Sequence, residues 1–209
     1  MSRLIILGAL LTSSLRLWGS PELVNGAAAL VGKNIISIQD AYVFRSLQRF
    51  RVGQKPAVLI EADQVLKATV EKLALEDMIV AEAKSLDFKD PDPEESRKLL
   101  RLQTSKGNRP QFQGILNRFE ISEAEALRRL QKTLLAEKFL KKKIDALTPI
   151  ITESDINLYI SNNPDKVKIL GAEAKNTVAA LLKKERAEKG LQGWIQFLTE
   201  KYSATLLLP

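Results

Sequence analysis

A chain of 209 residues, 45% apolar and 27% charged, can bury one sizeable core and needs no cross-link to hold it. It has no cysteine and no histidine, which excludes disulfides, thiolate chemistry and any imidazole general base or metal ligand. Its 32 basic and 25 acidic residues leave a charge of +7, read as a solvated basic surface and not a nucleic-acid face, because the charges spread over several helices with few aromatics among them.

The opening MSRLIILGALLTSSLRLWGSPE has the layout of an export signal. Arg3 supplies the positive start, residues 4–11 are apolar apart from Gly8, and small residues follow. Eight residues of helix reach only ~12 Å, far short of a ~30 Å hydrocarbon core, so no stable membrane insertion is expected. The prediction is a signal peptide over residues 1–19 and a mature chain over 20–209 in the periplasm, with cleavage after Ser14 or Gly19 both open.

Two short apolar runs, 27–31 and 34–37, then flank a Gly-Lys-Asn turn, the pattern of a β-hairpin. Ser37 and Asp40 stand at capping-box spacing and start a helix to Arg51, with Tyr42, Val43, Leu47 and Phe50 on one face and Gly53 and Pro56 as its end. A long second helix is predicted over 61–86. Leu66, Val70, Leu73, Ala74, Val80 and Ala81 form one stripe on it, while Leu75, Ile79 and Leu86 fall on another face. Such a helix either lies between two packed layers or offers its second face to something else.

Asp92 caps the next helix, with Pro93 in its first position and Glu95 completing a capping box. That helix carries Leu99, Leu100 and Leu102 and is expected to stop before Lys106. A short helix with Phe112, Leu116 and Phe119 follows, and then Ser122 and Glu125 open a helix to Leu147. Leu127, Leu130 and Leu134 share one face of it, and Leu140, Ile144 and Leu147 another, so its halves must meet different neighbours. The lysines at 141–143 suit the negative pole of that helix. Thr152 and Asp155 cap a short helix to Ser161, and a joint over 162–171 leads to a last helix over 172–201 that Gly190 and Gly193 weaken. Trp194, Phe197 and Leu198 share one of its faces.

A lone hairpin is marginal in water. The apolar run at 203–208 is predicted to add a third strand to it, with the last helix covering the sheet through Trp194 and Phe197. The expected fold class is mainly α with a small antiparallel β element.

The ordered segments VNGAAALVGKNIISIQD, LKATVEKLALEDMIVAEAKSLDF, FEISEAEALRRLQKTLLAEKFLKKKI and ITESDINLYI precede a Trp-bearing helix that runs into an apolar strand. This order resembles the N-terminal chaperone module of the SurA and parvulin-type foldase family, over roughly 23–161 and 183–208. The resemblance implies a SurA N-terminal-like, trigger-factor-like domain over 20–209, with a core at 23–161, a linker at 162–171 and a C-terminal helix and strand at 172–209. In that family, parvulin prolyl-isomerase domains stand before the last helix. Here only the 162–171 linker is available, too short for a domain, and the histidines and cysteine common in parvulin sites are absent.

What the resemblance implies is an ATP-independent holdase for unfolded outer-membrane or secreted polypeptides, without isomerase activity, cofactor, metal or catalytic residue. No phosphate-cradling Gly-rich loop is present. The residues on second faces, Leu75, Ile79, Leu86, Phe112, Leu116 and Phe119, are the candidates to line an apolar client groove, their other reading being ordinary core. The expected partners are unfolded or extended polypeptides, outer-membrane precursors among them, and no nucleic acid; a homodimer stays open. An envelope scaffold with one dedicated partner is the alternative.

Overall fold

Two short apolar runs meet across a two-residue turn. In a computed structural model, which describes residues 26–55, 63–165 and 173–208, Ala27–Val31 (β1) pairs antiparallel with Asn34–Ser37 (β2). The predicted signal segment over 1–19 and most of the predicted 162–171 joint lie outside the described residues. Val31 stands opposite Asn34, so the turn is Gly32-Lys33 and Asn34 belongs to the strand. Gly32 takes a φ of +58°, which glycine reaches without the steric penalty of a Cβ.

Thr205–Leu206 (β3) pairs antiparallel with the other side of β1, giving the order β2-β1-β3. Two hydrogen bonds extend that ladder at its ends: the Gly32 N–H donates to the Tyr202 carbonyl at 2.6 Å, and the Leu207 N–H to the Ala28 carbonyl at 2.9 Å. The predicted third strand is therefore present, in the predicted place.

Ser37 caps Ile38–Arg51 (α1) with a complete capping box: its hydroxyl accepts from the Asp40 N–H while the Asp40 carboxylate accepts from the Ser37 N–H. Asp63–Ser85 (α2) and Pro93–Gln103 (α3) follow. The chain does not leave the helix at Lys106 as predicted. It passes through a wide turn at Thr104–Asn108, kinked where Gly107 takes a φ of +81°, directly into Arg109–Phe119 (α4). Glu123–Leu147 (α5), Glu153–Asn162 (α6) and Ala174–Lys201 (α7) follow.

Two predicted capping boxes are half made. Asp92 and Ser122 each accept a backbone N–H, but Glu95 bonds Lys138 and Glu125 bonds Arg129. A cation offers a carboxylate a stronger, charge-assisted hydrogen bond than a neutral amide does.

The helices bury their apolar faces in two clusters. One holds the inward side of the sheet (Ala29, Val31, Ile36), most of α2, the second half of α5 (Leu135, Phe139) and the end of α7 (Trp194, Leu198). The other holds α1, α3 and α4 with the first half of α5 (Ala126, Leu130). Ile38 and Leu66 touch both. The halves of α5 thus meet different neighbours, as its two stripes predict.

Two expectations are corrected by the packing. The helix lying on the sheet is α2, and α7 packs on α6, α2 and α5 instead. Phe197 is 50% exposed, because the inward line of α7 runs through Leu191, Trp194, Ile195 and Leu198. The helix α7 is continuous through Gly190 and Gly193. The lysines before the end of α5 also do something more specific than face a helix pole: Lys142 lies over the Phe88 ring at 5.7 Å and Lys143 over Trp194 at 5.4 Å.

Candidate functional site

The six residues predicted to line a groove do not come together on a surface. Phe112, Leu116 and Phe119 are buried in the second cluster, with the Phe112 ring tilted against that of Phe50 at 5.3 Å between centroids. Ile79 is buried in the first cluster and Leu75 packs half-buried against it. Only Leu86 is open, at 61% exposure, just past the end of α2. Five of the six are thus packing residues. Leu75 and Ile79 of the second α2 stripe pack into the first cluster, while Leu73, Val80 and Ala81 of the first stripe border a cleft.

The described residues enclose that cleft, of about 870 Å³, between β2, the first turn of α1, α2 and α5. That size falls in the ~300–1,000 Å³ range of small-molecule pockets. Its apolar surface comes from Ile35 and Ile36 of β2, Leu73, Val80 and Ala81 of α2, and Leu135 of α5. Charged side chains from α5 and α2 surround that surface.

Those charges are mostly tied to one another. Arg129 reaches Asp40 at 2.8 Å and Glu125 at 2.7 Å, Arg128 also pairs with Glu125, and Lys132 pairs with Asp77. Burial pushes the Asp40 carboxyl up, but hydrogen bonds from Ser37 and Arg129 outweigh it and hold the pKa below the usual carboxylate range. Asp40 therefore does two jobs, capping α1 and fixing Arg129 at the cleft. Lys33, Lys84 and Asp90 also line the cleft, and among the described residues none of them has a salt-bridge partner.

Behind the cleft, α2 buries further acids. Glu76 is 8% exposed at the α2–α5 contact, and burial, only partly offset by a hydrogen bond from Thr133 and the charge of Lys132, pushes its pKa up to about 7. Glu82 is equally buried but receives Lys201 and the Tyr202 hydroxyl.

Among the described residues, no group of three or more His, Cys, Asp or Glu could hold a metal ion, and no helix is long and apolar enough to cross a membrane. The sequence held one local signal for the cleft: two adjacent isoleucines on a predicted strand, of which period-two alternation must turn one outward. The ion pairs joining α1, α2 and α5 carry no such signal, since Asp40 and Arg129 stand 89 positions apart. In comparisons with known proteins, no family model, no curated protein and no solved structure matches this chain.

Proposed function

We propose that this chain is an ATP-independent holdase that binds unfolded or extended polypeptides in the bacterial envelope, outer-membrane precursors among them, without prolyl-isomerase activity. The observation that carries the reading is the cleft beside β2, with an apolar floor, a charged rim and a sheet edge along one side. Such a surface suits many sequences weakly: apolar side chains of a client lose water on the floor, and rim charges screen and steer without demanding one partner. A micromolar complex needs only about −8 kcal/mol, within the range of a modest apolar cleft. The resemblance of the segment order to that of the SurA and parvulin-type foldase family supports the same reading, and so does the position of the β3 strand against the hairpin.

The test is dilution of a urea-unfolded β-barrel protein into buffer with and without this protein, no nucleotide present, followed by light scattering. Suppressed aggregation at near-stoichiometric protein, weakened by salt, is expected. A folded, monodisperse sample that leaves the client unprotected overturns the proposal.

A further inference from the structure

We propose that the outer edge of β2 is itself the docking line: an extended client segment rich in apolar and acidic side chains adds to the sheet there as a further antiparallel strand. This rests on the holdase reading for the kind of partner, and on the sheet geometry for the place. Among the described residues, the order β2-β1-β3 uses both sides of β1 and only one side of β2.

In an antiparallel ladder, successive residues aim their backbone groups at opposite edges. Val31 and Asn34 close the two-residue hairpin, and the register continues through Leu30 with Ile35 and Ala29 with Ile36. Leu30 is also the partner of Thr205 on β3, so its amide and carbonyl face that side. Its opposite number Ile35 accordingly turns its own N–H and C=O away from β1, into the cleft side. The Ser37 N–H, next on that edge, is already held by Asp40 at 3.0 Å. Among the described residues Ile35 is left as the open rung, its side chain 65% exposed and lining the cleft.

Charge selects the occupant. Arg128, Arg129 and Lys132 are neutralised within the site, whereas Lys33 at the hairpin tip and Lys84 on α2 have no salt-bridge partner among the described residues. Asp90 is the one carboxylate of the cleft in the same condition. The balance favours carboxylates on the incoming strand. Backbone pairing at Ile35 supplies sequence-tolerant affinity, and the apolar floor takes alternate side chains, the division of labour of strand addition.

The probe is an acetylated, amidated peptide of four Val-Glu repeats, compared with a Val-Lys counterpart and with a Val-Glu peptide N-methylated at alternate residues. Titrated into the full chain, the Val-Glu peptide is expected to bind saturably and to slow hydrogen exchange at the Ile35 amide. The Val-Lys and N-methylated peptides are expected to bind at least tenfold more weakly. Ile35→Pro, which deletes the N–H, is expected to lose about tenfold in affinity or more, and Lys84→Glu to narrow the preference for Val-Glu over Val-Lys.

No slowing of exchange at Ile35, or equal binding of the N-methylated peptide, overturns the proposal. The wild-type measurements stand even where Ile35→Pro fails to fold. The light-scattering assay run in parallel separates the two readings. Clients protected while the Ile35 amide stays unaffected leave the holdase standing and remove the edge. Peptide protecting Ile35 while clients aggregate leaves the edge standing and removes the holdase.

Discussion

Glu82 on α2 and Lys201 at the end of α7 meet at 2.6 Å, and the Tyr202 hydroxyl joins the same carboxylate at 2.8 Å. The next link is backbone: the Tyr202 carbonyl accepts from Gly32, so the side-chain pair anchors the turn that feeds β3 into the sheet. Burial works to raise the Glu82 pKa, but the Lys201 and Tyr202 hydrogen bonds prevail and hold it below the ordinary value. A depressed carboxyl pKa stabilises the fold above the unfolded value and loses that contribution as pH falls through the folded one. Glu82→Gln is expected to cost ~1–2 kcal/mol at pH 7, judged by urea midpoints, with the difference from wild type shrinking toward zero in acid. A gap that persists unchanged at low pH would show that the carboxylate charge is not what holds α7 to α2.

Glu76 has the opposite sign. Its folded pKa, about 7, lies above the ordinary carboxyl value, so the fold keeps its proton where the unfolded chain has lost it. Stability is then highest below the unfolded pKa and falls as pH rises toward 7, by ~3 kcal/mol for a shift of this size. The groups facing it are Thr133 and Lys132 on α5, with Asp77 and Glu137 as like charges. Glu76→Gln keeps the size and the hydrogen-bonding capacity while removing the titration. Its melting temperature is expected to exceed that of wild type at pH 8 and to approach it at pH 5. Parallel pH profiles for the two proteins would refute the assignment.

The contrast between these acids marks what could be read in advance. Ser37 with Asp40 and Thr152 with Asp155 are local motifs, three residues apart, and both form complete boxes. The hairpin and its third strand were legible because an open apolar edge needs a partner and residues 203–208 were a suitable one. Periodicity also separated the two faces of α2 and the two halves of α5. It could not say what stands opposite a face: Phe112 and Phe197 both lie on apolar stripes, yet one is fully buried and the other half open. Nor could it place Glu125 or Glu95, whose carboxylates chose cations over the predicted caps. Those outcomes depend on tertiary neighbours, which short-range spacing does not encode.

Phe112 and Leu86 give that distinction an energetic form. Phe112 has no exposed surface and packs tilted against Phe50, so Phe112→Ala leaves a cavity and is expected to cost ~3–5 kcal/mol. Leu86 is largely open, and Leu86→Ser is expected to change stability by less than ~0.5 kcal/mol. Urea titration of the two variants reads both values. A Phe112→Ala protein as stable as wild type would return that side chain to the groove from which its burial removes it.

Gly32 ties the turn to the clasp. Its φ of +58° permits the tight hairpin, and its N–H is the donor to Tyr202. A Cβ added there would lie 3.7 Å from the Tyr202 carbonyl oxygen, an ordinary contact, so any cost of Gly32→Ala comes from the backbone and not from crowding. Holding an L-residue at positive φ costs ~1–2 kcal/mol, and the substituted turn can escape only by rotating the N–H away from Tyr202. Gly32→Ala is therefore expected to lose about that much stability in urea and to speed hydrogen exchange at Leu207, whose N–H closes the far end of the β1–β3 ladder. Unchanged exchange at Leu207 in a destabilised variant would confine the damage to the β1–β2 turn and separate the hairpin from the strand that covers its edge.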